Sequence, residues 1–262
     1  MKLMTDTAKS VLITAGASGI GRVIAEACLA QGHQVHVCDI SAEAIATLRA
    51  EQPLITSTLG DVSLRDQVDQ LFVEFTGLYG QLDILVNNVG IAGPTAALED
   101  IDPDDWDRTI NVDLNSLFYV SRKAAPLLKT SKGCMINMAS NAALFGFPLR
   151  SAYAAAKWAT IGLTKTWAME LGPFGVRVNA LCPGSVSGPR IERVIAKDAG
   201  QRGVSEEAIR DVYQRQNSLR VFVEAEEIAQ TILFLCSPAG RNISGQAIPI
   251  DGHTEGLSNW LE

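Results

Sequence analysis

The chain has 262 residues, of which 47% are hydrophobic and 19% charged, with a net charge of −7 and a pI near 5.1. That length suits one large α/β domain, able to bury most of its apolar side chains. The acidic balance argues against nucleic-acid partners, because general binding to a phosphate backbone needs a basic footprint. Residues 1–10 show no apolar core, cleavage site or Arg-rich amphipathic pattern. No apolar run approaches the roughly 18 residues of a membrane helix, so a cytoplasmic location without membrane contact is expected. Cys28, Cys38, Cys134, Cys182 and Cys236 are odd in number, widely spaced and set in apolar runs. They read as buried reduced thiols, not as disulfides or a zinc site, and no metal is expected.

Short apolar runs alternate with helical patterns along the whole chain. "SVLITA", "QVHVCD", "LITSTLG", "LDILVNN", "GCMINMAS", "VRVNALCP" and "QAIPID" read as seven strands, nearly continuous in apolar character, as strands covered on both faces are. Helices are expected over 19–31, 41–51, 64–79, 104–128, 151–171 and 225–236. Strict βα alternation predicts a Rossmann-like, doubly wound parallel sheet in three layers, built as a single domain over 1–262. The charged segment 188–220 breaks the rhythm after a strand's carboxyl end, beside the expected ligand crevice. It is placed to act as a helical substrate lid, although a solvated excursion without a role would look the same.

Between the first strand and first helix lies a glycine loop, from which Thr14, Gly16, Ser18, Gly19, Ile20 and Gly21 are expected to contact a dinucleotide. Glycines let the backbone approach a pyrophosphate, and the helix N-terminus meets its charge. Ala15 stands among them; a positive φ there would cost about 1 kcal/mol, with Gly16 alongside to absorb the turn. Asp39 closes the second strand, where a carboxylate can accept hydrogen bonds from an adenosine ribose and repel a 2′-phosphate. NAD is therefore the expected cofactor. Two alternatives stay open: Asp39 as a cap of the following helix, and Arg22 as a phosphate partner, though it sits within a helix.

Further along, Tyr153 and Lys157 stand at i and i+4 of a helix, hence on one face. An ordinary tyrosine titrates near pH 10, and a neighbouring ammonium favours its phenolate. "YAAAK" alone could be an ordinary helix turn, but it follows Ser140, which ends the "INMAS" strand, by 13 positions. With Asn111 in "WDRTINVDL", "NNVG" at Asn87–Gly90, Asp61-Val62 and Pro183-Gly184, the chain resembles the short-chain dehydrogenase/reductase family from Ser10 to about Gly252. The resemblance implies a catalytic set of Asn111, Ser140, Tyr153 and Lys157. Cofactor contacts are implied at Asp61, Val62, Asn88, Gly90, Tyr153, Lys157, Pro183, Gly184, Val186 and Ser187. It further implies that Lys157 binds the nicotinamide ribose, that Asn111 anchors a water in a proton relay, and that the protein is a homotetramer. Ala15 replaces the family's first loop glycine, and Ser187 its usual threonine.

The stretch between Ser140 and Tyr153 should line the substrate pocket, with Asn141, Phe147 and Arg150 as expected contacts and Leu144 and Phe145 as apolar walls. The segment 188–220 carries seven basic residues against five acidic ones. The leading expectation is oxidation of a secondary hydroxyl on a small polar molecule: a sugar, polyol or hydroxy acid. Reduction of a bulkier apolar ketone, such as a steroid or acyl thioester, is the second reading. A nucleotide-sensing protein on the same scaffold is the third, from which catalytic residues are typically lost. His253 has no partner at ligand spacing for a metal, and the role of Trp260 and the tail is open.

Overall fold

Along β1 (Ser10–Thr14), Val11 and Ile13 face one side of the sheet and Leu12 the other, and all three are fully buried. A strand with both faces covered needs helices above and below it. The computed structural model, which describes residues 8–257, supplies them. The readings made of residues 1–7, of Trp260 and of the tail from 258 lie outside the described residues.

Six further strands, β2 (Gln34–Asp39), β3 (Thr56–Leu59), β4 (Ile84–Asn87), β5 (Cys134–Met138), β6 (Arg177–Pro183) and β7 (Ala247–Ile250), complete a parallel sheet of order β3-β2-β1-β4-β5-β6-β7. On one face, Ile24 and Ala25 of α1 (Gly19–Ala30), Ile45 and Leu48 of α2 (Ala42–Glu51) and Ile228 and Ile232 of α9 (Ala225–Cys236) join Val11, Ile13 and Val86. On the other, Leu71 and Phe75 of α3 (Arg65–Tyr79), Ala124 and Leu128 of α5 (Ser116–Ser131) and Leu171 of α6 (Ser151–Leu171) meet Leu12, Leu85 and Met135. Strand order reverses between β1 and β4, so the connections leave their carboxyl ends in opposite directions and open a crevice.

One expected helix is divided. The pattern over 104–128 reads as continuous, but the chain forms α4 (Pro103–Ile110), a π turn over Asn111–Asn115 and then α5. Ser116 N donates to Asn111 O, five residues back. The extra residue turns Asp113 inward, where its Oδ1 accepts from the backbone N–H of Ile91 at 2.7 Å. Such single π turns concentrate at functional sites.

The segment 188–220 folds into α7 (Pro189–Arg202) and α8 (Glu206–Arg215). Ile191, Ile195 and Ala199 pack on Ile209 and Tyr213 in a small apolar cluster of their own. Beyond α8 the chain pairs with the segment after β7: Ser218 N donates to His253 O at 3.0 Å and Leu219 N to Gly252 O at 3.2 Å. Asn217 bridges antiparallel to Thr254, so the exit of the segment is tied down. Among the described residues no helix is long and apolar enough to cross a membrane. All five cysteines are buried and unbridged, and burial pushes the Cys28 and Cys38 thiols up to about 12.

His36 gives the fold a pH-dependent stability. It is buried on β2, with Nδ1 2.7 Å from Thr56 Oγ1 and Nε2 3.0 Å from Thr58 Oγ1, and burial lowers its pKa to about 4. The unfolded side chain takes up a proton near pH 6.5, so between pH 6.5 and about 4 the unfolded state binds more protons. Stability is thus fully present above 6.5 and declines as pH falls through that window, by about 3 kcal/mol for a shift of about 2.5 units. Thermal melts of the parent and of His36→Gln at pH 4 to 7 should show a shallower slope in the variant. Parallel slopes would place the dependence on other groups.

Candidate active site

The loop between β1 and α1 is shaped by close approach and by one strained residue. A Cβ on Gly21 would lie 2.1 Å from Ala15 O and 2.6 Å from Asn88 Nδ2, and one on Gly16 2.7 Å from Val37 Cβ. Ala15 itself takes the left-handed turn, with φ 49°, as does Gly19 at 52°. Gly16 has no positive φ, so the expectation that it absorbs the turn is corrected: Ala15 carries the strain, about 1 kcal/mol. Asn88 holds the loop against β4, its Nδ2 donating to Ala15 O and its N to Thr14 Oγ1, both at 3.0 Å. Ser18 stands at the N-cap of α1 without a side-chain cap bond. The N-terminal N–H groups are therefore not capped from within, and the exposed Ser18 and Gly19 border them.

Asp39, at the end of β2, is buried; its Oδ2 accepts from Ala17 N and its Oδ1 from Ser41 N, each at 3.0 Å. It does not cap α2, since Ser41 Oγ does so by accepting from Ala44 N. Arg22 is occupied by Glu26, at 2.8 Å, and by Glu51. Gly60 N donates to Asp39 O, which sets the turn at Asp61 and the buried Val62 beside this strand end. An uncapped helix N-terminus, backbone cleared of side chains and a carboxylate at the second strand end together fit a dinucleotide.

The expected catalytic residues come from three segments that pack together: the end of β5, the π turn and α6. Ser140 follows β5; its Oγ accepts from Ala142 N and donates to Asn141 Oδ1, both at 3.2 Å. Lys157 on α6 is 4% exposed, and its Nζ donates to Met138 O at the end of the same strand, at 3.1 Å. Nζ lies 5.6 Å from the centre of the Tyr153 ring, and Arg150 Cζ lies at the same distance from that ring. Asn111 opens the π turn, its Oδ1 accepting from Asn115 Nδ2 at 3.2 Å. A tyrosine flanked by two cations can exchange a proton with a substrate oxygen, while a hydroxyl on the adjacent strand end holds that oxygen.

Other expected residues take different parts. Ser187 donates its hydroxyl to Glu224 Oε1 at 2.7 Å, and Val186 bridges to Val223, so this turn is fastened to the start of α9. Gly184 packs on Asp251, where a Cβ would come to 3.0 Å, immediately after the buried Pro183. Asn141 is buried with both ends engaged, its Nδ2 donating to Thr254 Oγ1 at 3.3 Å. That makes it a tie between Ser140 and the tail. Arg150 donates to Ala92 O at 2.8 Å and to Thr95 Oγ1 at 3.3 Å, while its buried Nε has no partner among the described residues. Burial lowers its pKa. Half-buried Phe147 lies 5.5 Å from the same guanidinium. Leu144 and Phe145 line a cavity of about 490 Å³ together with Leu219, Val221 and the 249–254 segment. None of the expected catalytic residues lines it. Sequence reasoning missed Asp113 and Thr254; a carboxylate inside the apolar run "INVDLNSLF" was the available signal for the first.

A family model described as enoyl-(acyl carrier protein) reductase matches residues 14–254. The 3-oxoacyl-(acyl-carrier-protein) reductase FabG of Thermotoga maritima is 35% identical over 249 residues, covering 93% of this chain and 96% of its own. The structure of an NAD+-bound xylitol dehydrogenase superposes with a TM-score of 0.87 at 26% identity, covering 92% of this chain and 97% of its own. An actinorhodin polyketide ketoreductase with NADPH superposes at 0.89, with 27% identity, over 97% of this chain and 98% of its own. The chain belongs to the short-chain dehydrogenase/reductase family, whose members use a nicotinamide cofactor to oxidise hydroxyl groups or reduce keto groups.

Proposed function

We propose that the protein oxidises a secondary hydroxyl of a small polar molecule (a sugar, polyol or hydroxy acid) with NAD. The observation that carries this reading is the convergence of Tyr153, Lys157 and Ser140 beside a loop closed by the Asp39 carboxylate. Bound NAD supplies the hydride acceptor. Tyr153 takes the hydroxyl proton, Ser140 orients the oxygen, and Lys157, 5.6 Å from the centre of the Tyr153 ring, holds the cofactor's ribose. Asn111, at the mouth of the π turn, anchors water on the path of that proton to solvent. Asp39 disfavours a 2′-phosphate, and Arg22, taken up by Glu26 and Glu51, offers such a phosphate no partner. We read the chain as one domain with 188–220 as its lid, acting in the cytoplasm as a homotetramer. Exposed Phe118 on α5 and Trp158 and Met169 on α6 support the assembly.

Arg150 supports the polar substrate. A guanidinium has five N–H donors, and two of its three nitrogens bond to the 92–95 loop, which leaves a buried Nε–H beside Tyr153. The lid supports it less, because Arg202, Arg210 and Arg215 pair with Asp198, Glu192 and Asp211 of the same segment. The similarity to a 3-oxoacyl reductase favours a second reading, reduction of an acyl thioester or other bulky ketone. A sensing role is disfavoured by the retained catalytic set.

Turnover across polyols, hydroxy acids and keto thioesters, with NAD and with NADP, separates these readings; faster thioester reduction with NADPH would favour the second. Tyr153→Phe should lower turnover by about 10² or more with cofactor binding retained, and near-parental activity would reject the mechanism. Asp39→Asn keeps an acceptor for Ala17 N but not the charge, and should narrow a preference for NAD. A parent that works better with NADP would remove that role from the carboxylate. Arg150→Met should raise the KM of a polar substrate about tenfold, the loss of a charge-assisted bond of roughly 1.5–3 kcal/mol. An equal loss with an apolar alcohol of similar size would mean that Arg150 acts only by fastening the 92–95 loop.

A further inference from the structure

Two guanidinium groups beside the site are left without a counter-charge. Arg150 is the N-cap residue of α6; its Nη1 and Nη2 reach only the neutral Thr95 Oγ1 and Ala92 O, and its buried Nε has no partner among the described residues. Arg190 stands exposed in the first turn of α7 and makes no hydrogen bond or ion pair among the described residues. The next residue, Ile191, packs in one cluster with Tyr213, and Arg150 faces both Tyr213 and Arg190. Burial lowers the Arg150 pKa, and the charge of Arg190 lowers it further.

Two like charges facing each other cost free energy, the more so where water is partly excluded. Their places add to that cost, because the positive end of a helix dipole disfavours a cation and favours an anion. The nearby acids are engaged: Glu192, in the first turn of α7, pairs with Arg210, and Asp113 stands 3.8 Å from Lys157 Nζ. Other arginines of the 188–220 segment are met within it, Arg202 by Asp198, Arg215 by Asp211 and Arg220 by Arg215 O. An anion between Arg150 and Arg190 would accept from the Nε–H of the first and from the open fork of the second. Arg150 Cζ lies 5.6 Å from the centre of the Tyr153 ring, so this anion and the reacting hydroxyl fit one short molecule. We propose that Arg150 and Arg190 together hold a carboxylate of the substrate, which makes the substrate a hydroxy acid and not a neutral sugar or polyol. This rests on the reading of Tyr153 and Ser140 given above and deepens it.

The test sets lactate and 3-hydroxybutanoate against the diols of the same carbon skeletons, with NAD. The parent should favour the acids. Arg190→Met removes a side chain without partners in the folded chain, and should lower the acid-to-diol ratio of kcat/KM about tenfold or more. Arg190→Lys, which keeps the charge and loses the fork, should recover part of the ratio. Arg193→Met, an exposed arginine of the same helix, should leave the ratio in place. Binding gives a readout without turnover: calorimetric titration of 3-hydroxybutanoate into the NADH-bound enzyme should show affinity falling about tenfold in Arg190→Met. Arg150→Met should fall likewise, and the double variant by less than the two effects combined, since both groups hold one carboxylate. A ratio unmoved by Arg190→Met, or moved as much by Arg193→Met, overturns the clamp. A rise confined to the KM of NAD assigns Arg190 to the cofactor's pyrophosphate and also overturns it. A parent that oxidises the diols and neither binds nor oxidises the acids keeps the proposed oxidation and sinks the clamp. A parent without turnover that binds the acid through Arg190 keeps the clamp and sinks the oxidation, and one that does neither sinks both.

Discussion

An ammonium group at 4% exposure has to be met by other groups, and at this site those groups come from every layer of the fold. Met138 O reaches Lys157 because β5 ends there; Gly90 makes room because β4 ends beside it. Asp113 approaches because a π turn carries one extra residue past the helical register. These three contacts lie at the carboxyl ends of the central strands, next to the point where strand order reverses. The location of the site thus follows from the topology, and its charge balance from one irregular turn. A regular helix over 104–128 would rotate Asp113 away from Lys157 and leave Ile91 N without its acceptor.

The layers, the strands and the residue types at the site were legible in the sequence because they rest on local signals. Alternating runs of apolar residues mark strands covered on both faces, and Tyr153 and Lys157 share a helix face by spacing alone. The π turn was not legible, since the spacing of Trp106, Ile110, Leu114 and Leu117 suits an unbroken helix equally well. What breaks it is a contact with Ile91, 22 positions earlier. Arg150 and Asn141 are alike in this respect. Both lie in the stretch between Ser140 and Tyr153 that was read as lining the pocket, yet their side chains are taken by Ala92, Thr95 and Thr254, up to 113 positions away. Pattern reading locates a side chain in the site; it does not say which of its bonds are already made.

The tie from Asn141 to Thr254 has a structural consequence. Thr254 bridges Asn217 at the exit of the α7–α8 segment, and Asn141 accepts the proton of Ser140 Oγ. The exit of the segment, the chain after β7 and the Ser140 hydroxyl are therefore linked by consecutive contacts. For Ser140 to donate to a substrate oxygen its hydroxyl has to leave Asn141 Oδ1, and the amide that it leaves remains anchored by Thr254. Movement of the segment's far end, at α7, is compatible with a fixed Ser140; movement of its exit is not.

At the cofactor end the same economy of contacts links charge to backbone shape. Asp39 accepts from Ala17 N, and Asn88 grips Ala15 O and Thr14 from the opposite side. Between these bonds sits Ala15 at φ 49°, a conformation that costs an alanine about 1 kcal/mol. Each bond to the loop contributes about as much as that strain costs, so the three together hold Ala15 where a glycine would rest unaided. A residue replacing Asp39 has to supply an acceptor for Ala17 N as well as tolerate the ribose. A basic side chain, which could welcome a 2′-phosphate, supplies none. In this chain the carboxylate at the end of β2 is a support of the loop that receives the dinucleotide, so a change made there to alter cofactor choice also alters the loop.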